Sequence, residues 1–417
     1  MHILLIDSID LPFGGAHSVH VSLVMKGLRE NGEKAFLIIP YGNKREILSS
    51  NKKNYGHHDG IPYCFLRKHG DSKKTSRFFD VLIGVLSTAL LIYRRKKKKK
   101  IDAVILGGIP DILKQGPIIF ICALYKIPLY IWFVEKSTLY EDYHGISGFL
   151  NFQSQKLSEK YLPRFSTGII VISSFLKNNY LNSIPENKIL INPILVSHDT
   201  FKTLRTPAME LIKSKLADKI KGNRLLVYSG SFGEKDGIYY LIDAFNEIVK
   251  KYPDTLFIMT GKNQNELIMN KIEKYRNGCS QKEKIQLVGF INSEELLSYN
   301  YLADVLFVCR TNSPYANHGF PWKLGEYCMT GKPIIASRVG DLELYFKDNE
   351  TLFIVEPNNS KAIAEKISYI FNNYEKALLV AKNGKDNAIK CFGYLERTKD
   401  IISFIENNNK PIVVNNQ

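Results

Sequence analysis

The stretch HGFPWKLGEYCMTGKPIIAS, His318 to Ser337, gathers a histidine, a lysine, a glutamate and a tyrosine ahead of an apolar run. Lys323, Glu326 and Tyr327 stand at i, i+3 and i+4, so on a helix they share one face. Pro321 suits the start of that helix, Gly331 stops it, and KPIIAS reads as the next strand. On a bare surface, Lys323 and Glu326 would form an ion pair worth only about 0.3–0.5 kcal/mol. Position argues for more. The helix follows DVLFVCR, so its N-terminus opens at the carboxyl end of a strand, where open α/β sheets bind ligands. A glutamate there can accept both ribose hydroxyls of a nucleotide, while Lys323, Arg310 and the helix N-terminus meet its diphosphate.

Three further stretches also follow apolar runs. YSGSFGEKDG carries Gly230, Ser231 and Gly233 ahead of Lys235. Such a loop can hold phosphate through backbone N–H groups, with lysine as a point charge. It lacks the GxxxxGK[ST] spacing of an ATPase, and Lys235 paired in solvent with Glu234 or Asp236 is the plainer alternative. DLPFGGAHS places Gly14 and Gly15 where the backbone can approach an anion or a sugar hydroxyl, although an ordinary turn would look the same. PLYIWFVEKS ends on Glu135, either a carboxylate aimed at a ligand or an acid favouring a helix N-terminus.

The elements that must hold these residues alternate along the chain. HILLID, KAFLIIP, DAVILGG, PLYIWFV and TGIIVIS read as strands in the first half. RLLVYSG, TLFIMTG, KIQLVGF, DVLFVCR and KPIIAS read as strands in the second. Amphipathic stretches separate them, such as HSVHVSLVMKGLRENG with Val19, Leu23 and Leu28 at helical spacing and Gly32 just past the end. Continuous apolar strands between helices predict parallel sheets covered on both faces. Two such series predict two Rossmann-like doubly wound domains facing across a cleft, at residues 1–198 and 199–385. Residues 386–408 form a helix that packs back on the first domain through Leu395, Ile401, Ile402, Phe404 and Ile405, and residues 409–417 a flexible tail.

Lys plus Arg exceed Asp plus Glu by 57 − 41 = 16 in the 417 residues. That surplus suits an anionic membrane surface, a phosphorylated substrate or nucleic acid. The six cysteines are scattered without a metal-ligand spacing, which points to a reducing cytoplasm. The N-terminus runs straight into a strand and lacks the basic start of a signal peptide. FFDVLIGVLSTALLIYRRKKKKK is too short in apolar residues to span a bilayer, which takes about 20. It reads either as a core helix with a solvated basic end or as a contact of Arg94–Lys100 with anionic lipid.

HGFPWKLGEYCMTGKPIIASRVGDLELY resembles the nucleotide-sugar motif of the family 4 retaining glycosyltransferases, which have the GT-B fold. VYSGSFGEKDGIYYLIDAF is similar to that family's diphosphate loop, whose lysine falls on Lys235, and GGAHSVHVSLVMKGLRENG to its acceptor-side loop. The resemblance implies donor-binding roles for Gly15, Gly230, Ser231, Lys235, Arg310, Gly319, Phe320, Lys323 and Glu326. Two departures stand out. The first glutamate of the family's Glu-x7-Glu pair is His318 here, which places a histidine beside the donor sugar. No family histidine maps onto the first domain, so Glu135 stands in its place beside Lys235 and His318 as a catalytic candidate.

What the resemblance implies is an enzyme moving a hexosyl group from a UDP- or GDP-linked sugar to a glycan or lipid-linked acceptor. Retention at the anomeric carbon, no metal and no resident cofactor go with it. So does a place in bacterial capsule or O-antigen assembly, in the cytoplasm or at the inner face of the cell membrane. A nucleotide-sugar epimerase of the same architecture, or an inactive binder of nucleotide sugars, would share the donor residues. No nucleic-acid motif accompanies the charge, so nucleic acid is not an expected partner.

Overall fold

The computed structural model describes residues 1–9, 11, 15–41, 55–67, 74–98, 100–108, 110–139, 145–197, 210–212, 214–215, 221–263 and 265–409. Gly14, Lys99, the expected boundary at 198/199 and the tail from 410 lie outside these residues. The chain forms two compact units, Met1–Leu195 with Tyr394 onward, and Val196–Gly393.

The first unit is built on an eight-stranded sheet. Its elements run β1 (His2–Ile6), α1 (Ala16–Glu30), β2 (Lys34–Ile39), β3 (Tyr55–His58), β4 (Ile61–Phe65), α2 (Lys74–Lys98), β5 (Ala103–Leu106) and α3 (Ile112–Leu124). They continue with β6 (Leu129–Phe133), α4 (Gly145–Phe165), β7 (Gly168–Val171), α5 (Ser174–Tyr180) and β8 (Ile189–Ile191). The order is β3-β4-β2-β1-β5-β6-β7-β8, parallel except for β3. Every residue of β5, β6 and β7 is buried, as continuous apolar strands between two helical layers must be. The β3–β4 hairpin was not expected from YGHH, which has no apolar run. Asp59 and Gly60 at its turn both have positive φ, as a two-residue hairpin needs.

The second unit holds β9 (Arg224–Ser229), α6 (Ile238–Lys251), β10 (Thr255–Thr260), α7 (Glu266–Asn277), β11 (Ile285–Gly289), α8 (Ser293–Leu302) and β12 (Val305–Val308). Then follow α9 (Pro314–His318), α10 (Trp322–Thr330), β13 (Ile334–Ser337), α11 (Leu342–Tyr345), β14 (Phe353–Val355), α12 (Ser360–Asn372) and α13 (Tyr374–Phe392). The parallel sheet runs β11-β10-β9-β12-β13-β14. In both units the chain winds outward in one direction from the first strand, then restarts on its other side. The points of reversal, β1/β5 and β9/β12, are where doubly wound sheets open a crevice at their carboxyl ends.

The returning helix begins later than expected. Residues 386–392 continue α13, and Gly393 ends that helix before α14 (Tyr394–Asn409). Val196 N–H donates to Phe392 O at 2.8 Å, pinning the two crossing segments side by side. Ile401, Phe404 and Ile405 enter the core of the first unit. Leu395 does not: it is exposed, and Tyr394 and Thr398 take the inward positions. Asn31 Nδ2 donates to Thr398 Oγ1 at 2.9 Å there, closing α14 onto the end of α1.

Candidate functional site

At the β9/β12 reversal of the second unit, the loop after β9 is forced into shape by its neighbours. Gly230 N–H donates to Thr260 O at 3.0 Å, and Gly261, at φ +116°, lies so close that a Cβ there would sit 1.8 Å from Gly230 O. Only glycine fits. Phe232 holds a left-handed φ of +56° with its ring buried edge-on against Tyr228. A bulky residue kept in that region is backbone strain of the kind that gathers at functional loops. Asn263 Nδ2 secures the turn by donating to Phe232 O at 3.1 Å.

The loop wraps the buried carboxylate of Asp236. The Ser231 hydroxyl donates to it at 2.8 Å and Gly233 N–H at 3.0 Å. Burial opposes the charge on Asp236. Lys323, then Lys235, the Ser231 hydroxyl and Arg310 overcome it and hold the carboxyl below its usual range. Three cations therefore converge on one carboxylate, leaving positive charge in surplus at the strand ends.

Each cation is positioned differently. Lys323, on the first turn of α10, reaches back so that its Nζ lies 3.9 Å from Asp236 Oδ1 and 4.1 Å from the centre of the Tyr228 ring. It donates to Ser229 O at 3.1 Å. Burial pushes its ammonium down to about 8, although Asp236 favours the charge, and Arg310 and Lys235 add to the depression. Lys323 thus pairs with Asp236 and not with Glu326, because the helix face turns toward β9 and not into water. Arg310 is buried at the end of β12, with Nη1 donating to Ala316 O at 3.0 Å and to Gly319 O at 3.4 Å. Lys235 places its Nζ 4.6 Å over the Tyr315 ring, and its carbonyl accepts from Thr311 N–H at 3.0 Å.

Glu326 lies one turn beyond Lys323 on the same helix. It forms no hydrogen bond or ion pair among the described residues, and burial pushes its carboxyl up to about 7. Tyr327, beside it, is fully buried and accepts from Ser229 N–H at 3.0 Å. His318 closes α9, its Nδ1 lying 2.7 Å from Pro314 O, so that nitrogen carries the proton. Gly319 follows as the cap of α9. Phe320 has another task than the expected ligand contact. Its ring is buried edge-on against Tyr345 at 5.5 Å and beside Phe392 at 5.7 Å, so only its backbone is left for a ligand.

The reversal in the first unit carries residues not foreseen. Asp7 is buried one residue after β1, and His17, on the first turn of α1, places Nε2 2.9 Å from Asp7 Oδ2. Gly107 makes room: a Cβ there would lie 2.3 Å from Asp7 Oδ2. Burial disfavours the imidazolium, but Asp7 and the charge of Glu135 outweigh it and hold His17 above its ordinary value. Glu135, two residues past β6, thus adds its charge to that of Asp7 on His17. His20, stacked on Trp132 at 4.9 Å, is held well below its ordinary value by burial and by His17. Gly15 caps α1 with an ordinary φ of −74° and open space where a Cβ would go, so neither strain nor crowding demands glycine. The sequence signal was an acid ending HILLID and a histidine in GGAH, but only the fold brings them together.

Comparisons with known proteins give a family match that falls within the second unit. Residues 212–387 match the family model described as glycosyl transferases group 1. The chain is 27% identical over 196 residues to the uncharacterized glycosyltransferase MJ1178 of Methanocaldococcus jannaschii, covering 42% of this chain and 51% of that protein. It is 26% identical over 320 residues to the capsular polysaccharide biosynthesis glycosyltransferase CapM of Staphylococcus aureus, covering 75% and 77%. The alignment thus spans about half of the first relative and about three quarters of the second. Among solved structures, Anabaena Alr3699/HepE in complex with UDP and glucose superposes with a TM-score of 0.70 at 15% identity, covering 97% of this chain and 99% of that one.

Proposed function

We propose, from the premise that the chain is a glycosyltransferase of the GT-B fold with its group 1 domain in the second unit, that it draws on a nucleoside diphosphate hexose bound at the β9/β12 reversal. The observation that carries this is Lys323 Nζ held 3.9 Å from the buried carboxylate of Asp236 at the loop after β9, with the charges of Lys235 and Arg310 bearing on the same group. When the bond between the anomeric carbon and the diphosphate oxygen breaks, the departing diphosphate gains negative charge. Fixed cations close to a buried loop stabilise it as it forms, and need no metal to do so. Glu326, ionised, accepts from the two ribose hydroxyls, and His318 meets the hexose where family members carry glutamate. UDP is the favoured nucleotide, since HepE is described with UDP and glucose.

The acceptor is a hydroxyl of a glycan or lipid-linked sugar held at the carboxyl edge of the first unit, beside His17 and Glu135. Transfer proceeds with retention, in assembly of a bacterial surface polysaccharide, a reading that CapM supports. The enzyme works at the cytoplasmic membrane surface, drawn there by Arg94–Lys100.

A thermal-shift screen of UDP- and GDP-sugars tests the donor. A ligand at about 100 times its Kd stabilises by roughly 2.7 kcal/mol, and we expect UDP-hexoses to produce such a shift. In Glu326→Ala the shift largely vanishes while the unliganded melt stays in place; a shift of full size in that variant would remove the ribose role. Acceptor-dependent release of UDP separates transfer from epimerisation, which would interconvert donor sugars with no acceptor present.

A further inference from the structure

The first unit carries an apolar face that its own core leaves uncovered. In α2, Asp80, Gly84 and Thr88 turn inward, with Asp80 accepting from Arg67 Nε at 2.6 Å. The opposite stripe of Phe79, Leu82, Leu86 and Leu90 is exposed. Such a stripe at helical spacing normally marks the side that faces a core. Helix α3 packs between α2 and α4, so the three form one layer over the sheet. It continues the exposed stripe with Leu113, Phe120 and Leu124, Phe120 at 65% exposure. On α4, Ile146 and Phe149 extend it further, at 82% and 60% exposure. Scattered single hydrophobics are ordinary on a surface, whereas a continuous patch across three helices marks a docking face.

Charge identifies the occupant. These three helices contain two carboxylates, Asp80 and Glu159, and both are engaged. Asp80 is tied to Arg67, and Glu159 accepts from Thr138 N–H at 3.0 Å and from its hydroxyl at 2.7 Å. At the N-terminus of α3, Asp111 pairs with Lys114 at 2.8 Å, and the remaining ionic groups of these helices are cations, among them Lys156, Lys160 and Arg164 on α4 and the basic end of α2. Not all of that end faces solvent, because Arg95 stacks over the Phe36 ring at 4.0 Å. A second copy docking by the same face would set one cationic group against another. An anionic bilayer satisfies both features, taking apolar side chains at the acyl boundary while lysine stems reach back to the headgroups. Among the described residues no helix is long and apolar enough to cross a membrane, so the layer lies on the surface.

We propose that the outer face of α2, α3 and α4 is a membrane-binding face that inserts Leu86, Phe120 and Phe149 into the headgroup boundary of an anionic lipid bilayer. It deepens the membrane-surface part of the proposed function, on which it rests, and adds insertion to simple attraction by the basic run.

The test is sedimentation of the full chain with vesicles of phosphatidylcholine, alone or mixed with phosphatidylglycerol. The wild type pellets with the mixed vesicles and keeps a salt-resistant fraction. Leu86→Glu, Phe120→Glu and Phe149→Glu combined lower the bound fraction by about tenfold or more, while Gln at Arg94, Lys96 and Lys98 weakens binding and lowers its salt dependence. Phe120→Trp, a milder change, gains a blue-shifted emission only with anionic vesicles. Unchanged pelleting of the triple variant, an unshifted tryptophan, or conversion of a dimer to a monomer by the triple variant would overturn the proposal. UDP-glucose binding, measured in parallel, is unaffected by these surface changes. If even the wild type binds no nucleotide sugar yet still inserts, the donor reading falls and the membrane face stands.

Discussion

The two reversal points of the molecule are built on the same topology and carry opposite charge. Where the second unit reverses, at β9/β12, the charges of three cations bear on one carboxylate, with Lys323 3.9 Å from it. Where the first unit reverses, at β1/β5, two carboxylates, Asp7 and Glu135, bear on one imidazole. The fold supplies the crevice in each case, and the side chains decide what enters it. A surplus of positive charge fits a diphosphate that becomes more negative as it leaves. A carboxylate-held imidazole fits a neutral hydroxyl whose proton has to be managed.

The sharpest way to break this contrast is to remove the central cation. Lys323→Ala takes away the group nearest Asp236 and is expected to lower turnover by about 10² to 10³, the usual loss for one preorganised donor at a developing anion. Removing Lys323 also unpairs the buried Asp236, so the melt is expected to fall while circular dichroism at the assay temperature stays native; turnover within severalfold of wild type would show that the surplus charge is idle. His17→Asn probes the other side. In this variant kcat is expected to fall by about 10² while donor affinity is preserved. A loss of donor binding instead would erase the distinction between the two sites.

A smaller effect sharpens the comparison by pH. Glu326, at about 7 when unliganded, must be ionised to accept from hydroxyls, so donor affinity declines as pH falls below that value. Lys323, at about 8, must be charged to meet the diphosphate, so affinity declines as pH rises past that value. Titration calorimetry should show a maximum between the two. Glu326→Gln flattens the acid limb, and Lys323→Met flattens the alkaline one. Each limb changes affinity by about tenfold per pH unit at most, since one proton is linked to each. A flat profile in the wild type would separate both groups from the donor.

Much of this organisation was legible in the sequence because it is local. Continuous apolar runs such as AVIL and LYIWF can only be buried strands, and Gly331 and Gly32 end their helices where the φ values require. The face shared by Lys323, Glu326 and Tyr327 also follows from helical spacing alone. What escaped depends on distant parts of the chain. Lys323 looked like a partner for Glu326, yet β9 brings Asp236 to it from a loop far upstream. Asp7 and His17 are unremarkable as letters, and only the close passage of Gly107 makes them a buried pair. Phe320 sits inside a donor-like motif, but α13 packs Phe392 against it and makes it core. The apolar stripe on α2 read equally as a core face or as a lipid contact, because helical periodicity cannot say which of two faces a sheet will cover.

The claim beneath the rest is that excess positive charge at the second unit's strand ends recognises a diphosphate. Calorimetric titration of UDP against uridine, on the wild type and on Lys323→Ala at fixed ionic strength, tests it most directly. We predict that the wild type binds UDP at least about 100-fold more tightly than uridine, a difference of roughly 2.7 kcal/mol, and that most of this gap closes in the variant. Equal affinities in the wild type, or a gap that survives intact without Lys323, would contradict it.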